Sequence, residues 1–445
     1  MQIKMKDVVV VGFALFAIFF GAGNLIFPPY LGVTSGDQWF TAMLGFLLSD
    51  PVLPILGVIV TASLGGRPQD FGKRVGTTYA AVLGFCVVLA IGPMFAIPRT
   101  ASTTYEVFVR EVFPAVPVWV SALVFFGITL WLTLNPGKVV DIIGQFLTPG
   151  LLIILLALIG VSIVNPPGEI LSTDMENVFA VSLKEGYQTM DAIVASLFAG
   201  IVIADLKRKG YVDKKHRMKA TIYVGILAFI LLAVVYGGLT YAGATVSSFY
   251  DADTERTTLL VGMVTHLLGG AGKFAIGLAI ALACLTTSIG LTSVCGDYFS
   301  GLSKGKLSYK LVAVVTTVVS FAISLLGVDT LIGLAVPVLS AIYPMVICLI
   351  FMQLFDKKIK YNMTYIGAVV GAFFIGLVQA LNSGFGLFQG LADWTYSLPL
   401  NGIGFEWVVP AIIGGVVFTI IAMVGKVGKT IDDYPEEDDD DVVEV

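Results

Sequence analysis

The chain divides into long apolar runs separated by short charged or Pro/Gly-rich breaks. Cutting at those breaks gives twelve apolar segments, roughly residues 7 to 31, 38 to 63, 77 to 100, 117 to 136, 139 to 164, 187 to 204, 218 to 244, 273 to 300, 309 to 326, 331 to 354, 361 to 382 and 404 to 425. Each can cross about 30 Å of hydrocarbon as a helix rising about 1.5 Å per residue. The pattern predicts an all-α integral membrane protein with about twelve transmembrane helices. One segment is irregular. In GFALFAIFFGAGNLIFPPYLG, from Gly12 to Gly32, the apolar run is interrupted near its middle by Gly21, Gly23 and Asn24. Unwound backbone at membrane depth survives only where protein or a water-filled cavity surrounds it. The break therefore reads as a binding site. A half-helix ending there points carbonyls at a cation, and one starting there offers amide N–H groups to a carboxylate.

Composition and loop charge fit that picture. With 57% hydrophobic residues, 13% charged residues and a mean hydropathy of +0.92, the 445 residues carry too little polar surface for a soluble globule. Cytoplasmic loops carry the excess of Lys and Arg. With the N-terminus inside, 21 of the 26 basic residues fall on the cytoplasmic side, leaving Arg99, Arg110, Lys184, Arg256 and Lys273. Both termini are therefore expected in the cytoplasm. Lys4 and Lys6 could instead open a cleavable signal peptide, but the run behind them exceeds the about 7 to 15 residues of a signal h-region. Twelve spans without a transit peptide favour a prokaryotic cell membrane. The four cysteines lie in apolar segments and indicate neither a disulfide nor a metal framework. The net charge of −5 rests on the acidic end from Asp432, which reads as a solvated, disordered tail.

The layout suggests an internal repeat. Helices one to five occupy residues 1 to 164 and helices six to ten residues 165 to 355; helices eleven and twelve occupy 356 to 427, and the tail 428 to 445. Five is odd, so the two blocks must have opposite membrane topology, the inverted-repeat arrangement of many secondary transporters. The sixth span should then also be broken, and it carries Asp191 in GYQTMDAIVASLFAGIVI. A mid-helix aspartate costs about 2.5 to 3.5 kcal/mol on insertion scales and usually faces a cavity or a partner. Asp191 could also be a hydrated acid at the outer interface. Asp50 and Asp297 sit nearer segment ends and read as interfacial, and Arg99, in FAIPRTA, reads either as a functional residue of the third span or, by a slight preference, as its outer anchor. In the eighth span Thr286, Thr287 and Ser288 follow one another; such hydroxyls often bond back to their own helix, yet a weakly held alkali cation also wants several such oxygens.

The runs FALFAIFFGAGNLIFPPYLG, GYQTMDAIVAS and ALACLTTSIGLTSVCGDYF resemble the branched-chain amino acid cation symporter family, and the resemblance covers nearly the whole chain. It implies a fold similar to the leucine-transporter fold, with a five-plus-five inverted repeat and discontinuous helices one and six. It also implies a secondary active transporter, not an enzyme, importing leucine, isoleucine and valine by sodium symport with alternating access. Carried over residue by residue, a sodium ion between helices one and eight takes the carbonyls of Ala17, Phe20 and Ala283 and the hydroxyls of Thr286 and Thr287. The substrate carboxylate meets the amides of Gly21, Ala22 and Gly23, and its ammonium the helix-six carbonyls across Met190, Asp191, Ala192 and Ile193. Asn24 falls where the wider fold often places an amide ligand to a second cation. Asp191 stands where that fold has a neutral hydroxyl residue, which leaves the ion number and proton involvement open.

Readings from other classes fit less well. A channel needs a continuous polar pore, whereas the intramembrane polar residues gather at one depth. An enzyme needs a nucleophile with a base or a metal set, and His216 and His266 lie in loops. The expected partners are an amino acid and membrane lipid, with no nucleic acid and no obligatory protein partner. The rival within transport is a proton-coupled or uncoupled carrier of hydrophobic amino acids that uses Asp191.

Overall fold

The computed structural model describes residues 3 to 66, 68 to 134 and 138 to 431; the acidic end from Asp432 lies outside them. The described residues are almost entirely helical. In order they form α1 (Met5–Phe19), α2 (Phe27–Ser35), α3 (Trp39–Leu47), α4 (Leu53–Ser63), α5 (Thr77–Leu89), α6 (Ala96–Thr104), α7 (Arg110–Val112), α8 (Val118–Leu134) and α9 (Lys138–Val164). There follow α10 (Val178–Gly186), α11 (Asp191–Arg208), α12 (Lys214–Ala244), α13 (Arg256–Leu302), α14 (Tyr309–Ser324), α15 (Val328–Leu354), α16 (Asn362–Phe385), α17 (Gln389–Tyr396) and α18 (Val408–Gly425). By length and composition seven continuous helical runs can cross a membrane, and α10 with α11, bent by 47°, makes an eighth. Three shorter apolar helices, Val118–Leu134, Pro149–Val164 and Tyr309–Ser324, coincide with further segments expected from the sequence. The chain is a multi-pass, all-helical membrane protein.

Both expected breaks are present. Between α1 and α2 the chain leaves helical geometry at Phe20 and Gly21 and makes a 3-10 turn over Ala22–Leu25. Between α10 and α11 the turn Tyr187–Thr189 ends at Met190, whose φ of 65° lies in the left-handed region. Two further breaks sit in spans expected to be continuous. Asp50 interrupts the path from α3 to α4 with φ −150° and ψ 109°, just before Pro51. Gly92, with ψ −119°, interrupts the path from α5 to α6 beside Pro93. Proline lacks the N–H that an interior helix turn needs and its ring crowds the carbonyl four residues back, so both breaks have a local cause.

Helices approach closely where glycine removes the side chain. A Cβ at Gly32 of α2 would collide with the Thr240 carbonyl of α12, and one at Gly243 with the Pro29 carbonyl. Gly367 of α16 and Gly414 of α18 face each other's carbonyls in the same way. Small residues at such contacts let backbones pack where lipid supplies no hydrophobic drive between helices.

Candidate functional site

Three of the breaks converge on one buried cluster, and the fourth, at Gly92, borders the cavity beside it through Ile91. As α1 ends, the Phe20 amide donates to the Phe16 carbonyl at 2.7 Å and the Gly21 amide to the Phe19 carbonyl at 2.9 Å. Among the described residues the carbonyls of Ala17 and Phe20 accept no hydrogen bond. The following turn aims Asn24 inward, where its Nδ2 lies 2.8 Å from the Phe19 carbonyl, 3.1 Å from Asp50 Oδ2, 2.6 Å from Asp191 Oδ2 and 2.9 Å from the Tyr236 hydroxyl. One amide nitrogen carries two hydrogens, too few for four oxygens. Asp50 Oδ1 is buried with no hydrogen-bond partner, and the carboxyls of Asp50 and Asp191 also contact each other. The cluster is thus rich in acceptors and short of donors.

Two sequence expectations are corrected here. Asp50 is not interfacial; it is fully buried, because the break before Pro51 turns its side chain to the centre. Arg99 is not an outer anchor. It is 5% exposed, donates from Nη1 to the Gln188 carbonyl at 2.7 Å and lies over the Phe27 ring with 5.5 Å to its centroid. Its Nη2 is so close to the first break that a Cβ at Gly23 would sit 2.6 Å from it. Asp191 lies in the centre, as the cavity reading required, and starts α11, whose N-terminus adds positive potential there. Asp297 is exposed, in keeping with its interfacial reading.

A small cavity of about 60 Å³ adjoins the cluster. Gly21, Gly23, Asn24, Met190, Asp191 and Thr287 line it, together with Arg99, Thr103 and Thr189, which the sequence pattern did not place in a site. Ile18, Ile91, Val194, Phe198 and Leu291 supply its apolar wall. A Cβ at Gly21 would lie 4.0 Å from Thr287 Oγ1, so α13 does meet the first break. Thr286 instead donates to the Ala283 carbonyl at 2.9 Å within its own helix. Ala192 and Ile193 are buried away from this cavity. Within α11 the carbonyls of Asp191, Ala192 and Ile193 point along the helix to later N–H groups, whereas a helix start offers N–H groups outward.

The site is flanked unequally. Away from Met5, Arg256 lies 2.7 Å from Glu185 and 3.0 Å from Asp329, with its guanidinium 4.1 Å from the Tyr30 ring centroid. Towards the end that holds Met5, a cavity of about 740 Å³ opens among Asp70, Lys73, Thr77, Asp297 and Tyr298. It reaches Ile193, the neighbour of Val194 in the central cavity wall.

The family described as branched-chain amino acid transport protein matches residues 4 to 424. The chain is 36% identical over 431 residues to the branched-chain amino acid permease BraB of Bacillus subtilis, covering 95% of this chain and 97% of that one. It is 35% identical over 436 residues to the branched-chain amino acid transport system 2 carrier protein of Pseudomonas aeruginosa (96% and 98% covered) and 33% identical over 427 residues to BrnQ of Escherichia coli (93% and 94%). Among solved structures it is similar to Mhp1, a nucleobase-cation-symport-1 family transporter, in a closed conformation, with a TM-score of 0.61 at 12% identity over 96% of this chain and 94% of that one. That likeness concerns the fold, and the expected all-helical, multi-pass class is the one found. On its full-length match and its relatives, all named permeases or carriers, the chain belongs to the branched-chain amino acid transport protein family.

Proposed function

We propose that this protein imports leucine, isoleucine and valine across a prokaryotic cell membrane by sodium symport with alternating access, both termini facing the cytoplasm. The single observation that carries the reading is the cavity at the converging helix breaks, which joins a polar pole to a wall of aliphatic and aromatic side chains. Its substrate follows the relatives' names and the wall's chemistry: burying a leucine-sized side chain is worth about 1.5 to 3 kcal/mol, enough to reject glycine or alanine by roughly tenfold or more. For the ion, the carbonyls of Ala17 and Phe20 are left without donors, and the Thr287 hydroxyl stands by Gly21. Ala283 and Thr286 complete the proposed set if Thr286 releases its helix bond. The layout into two inverted blocks belongs to the same reading.

A second coupling is favoured by one observation. Two contacting carboxyls, Asp50 and Asp191, are most simply accommodated with a proton or a cation between them. The test is leucine uptake into proteoliposomes under an inward sodium gradient, with choline replacement as control, for wild type and the Thr286→Ala, Thr287→Ala double variant. Uptake that needs sodium and falls in the double variant supports the symport. Equal uptake in choline that tracks an inward proton gradient overturns it in favour of the carboxyl pair.

A further inference from the structure

The other charged side chains that are buried or half-buried near helix ends, such as Arg74, Lys184 and Arg256, pair with carboxylates, whereas Arg99 does not. It is buried at the polar pole of the central cavity, forms no ion pair among the described residues, and donates one hydrogen bond, to the Gln188 carbonyl. A guanidinium carries five N–H donors in a planar fork. Most of that fork is therefore unspent inside a cavity where desolvated charge is costly unless paired. Asp191 contributes a nearby opposite charge, but its Oδ2 is directed to Asn24 at 2.6 Å. Phe27 holds the guanidinium plane from one side and Gly23 leaves room for Nη2 beside the unwound backbone. Arg99 lines the same cavity as the apolar wall.

We infer that Arg99 binds the carboxylate of the transported amino acid. This rests on the amino acid transport proposed above and names the residue that makes a free carboxylate a condition of entry. Two parallel N–H···O bonds suit a planar carboxylate better than any single ammonium, so the role is specific to arginine. The aliphatic side chain then extends towards Ile91, Val194 and Leu291, while the ammonium is left to the acceptor-rich cluster around Asp50 and Asp191.

The experiment compares binding of leucine and leucinamide to purified protein in detergent, for wild type, Arg99→Lys and Arg99→Gln, with monodispersity checked by size exclusion. Leucinamide keeps the side chain and the amine but lacks the carboxylate. Wild type should prefer leucine by about a hundredfold, the scale of one well-made charged hydrogen-bond pair. Arg99→Lys should keep part of that preference, and Arg99→Gln should bring the two ligands to within about threefold. If Arg99 only balances the charge of Asp191, both ligands weaken together in Arg99→Gln and the preference survives, which overturns the inference. If Arg99→Gln does not fold, Arg99→Lys and the wild-type preference decide it: a wild type that binds both ligands equally overturns the assignment. A wild type that transports no branched-chain amino acid sinks the proposed function instead, a separate result.

Discussion

At the end of the molecule remote from Met5, Arg256 gathers Glu185, Asp329 and Tyr30 from three other helices, while at the end that carries Met5 the helices part around a cavity of about 740 Å³. The closed end also has the tightest backbone approach, where Gly32 and Gly243 let α2 and α12 touch. Beside the open-end cavity, a Cβ at Gly84 would press only on the hydroxyl end of the Tyr298 side chain, with its ring at ordinary contact, and that side chain can swing away. The difference teaches that closure on one side is built from interlocked backbone and an ion-pair cluster, whereas access on the other comes from leaving helices unfilled. A transporter that exposes its site alternately must exchange these two conditions, and the fourfold break at mid-depth is where its helices can bend independently.

The contrast can be broken at the glycines first. Gly32→Leu forces a side chain into the Thr240 carbonyl and should destabilise by about 3 kcal/mol or more, seen as loss of monodisperse protein, whereas Gly84→Ala should shift the melting temperature little. Equal damage at both would mean that the two ends are packed alike. Next comes the ion-pair cluster. Arg256→Gln strands Glu185 and Asp329, and an effect of about 2 kcal/mol would raise opening of that end roughly thirtyfold. The readout is labelling of a Thr34→Cys reporter by an impermeant maleimide in a Cys86→Ala background; unchanged labelling would show that Arg256 does not seal. A smaller effect is expected at the centre. Tyr236→Phe removes one acceptor of the Asn24 amide and should change leucine affinity by about fivefold, the scale of one hydrogen bond.

The smallest effect belongs to the loop before α12, at the open end. Asp213 caps that helix by accepting from the His216 backbone N–H at 2.9 Å, and chiefly for that reason its carboxyl lies below the ordinary aspartate value. The sign follows from linkage: a depressed folded value stabilises above the unfolded aspartate range, and that contribution is lost as pH falls through the lowered value. Asp213→Ala should therefore leave uptake at neutral pH unchanged and remove only the part of thermal stability that disappears on acidification. Altered neutral uptake would make this loop part of the opening instead.

The broken first helix was legible because Gly21, Gly23 and Asn24 interrupt, at membrane depth, a helix that hydrocarbon would otherwise keep whole. The break in the sixth followed from the repeat layout. The apolar segments were legible for a similar reason: apolar length is a one-dimensional property. Asp50 and Arg99 were misread because position within a segment was taken as depth, and the kinks that carry both side chains inward come from Pro51 and Pro93, whose effect on direction has no periodic trace. The SDPVLP and IGPMFAIPR runs held that signal. Tyr236 left none. It sits in an unbroken helix among apolar neighbours, and only the crossing of α12 past the first break brings its hydroxyl to Asn24.

The large cavity towards Met5 also shapes the electric field. Voltage across a membrane drops over insulation, not over conducting water, so a hydrated vestibule at one end carries the potential of its own bath inward almost to Val194. The remaining drop then falls across the thin closed half around Arg256. A unit charge crossing the full potential gains about 2.3 kcal/mol per 100 mV, and with the vestibule on the Met5 side the larger share of that work would fall between the site and the closed face around Arg256. Any charge that crosses with a substrate would therefore do most of its work against the field at the step where that face opens.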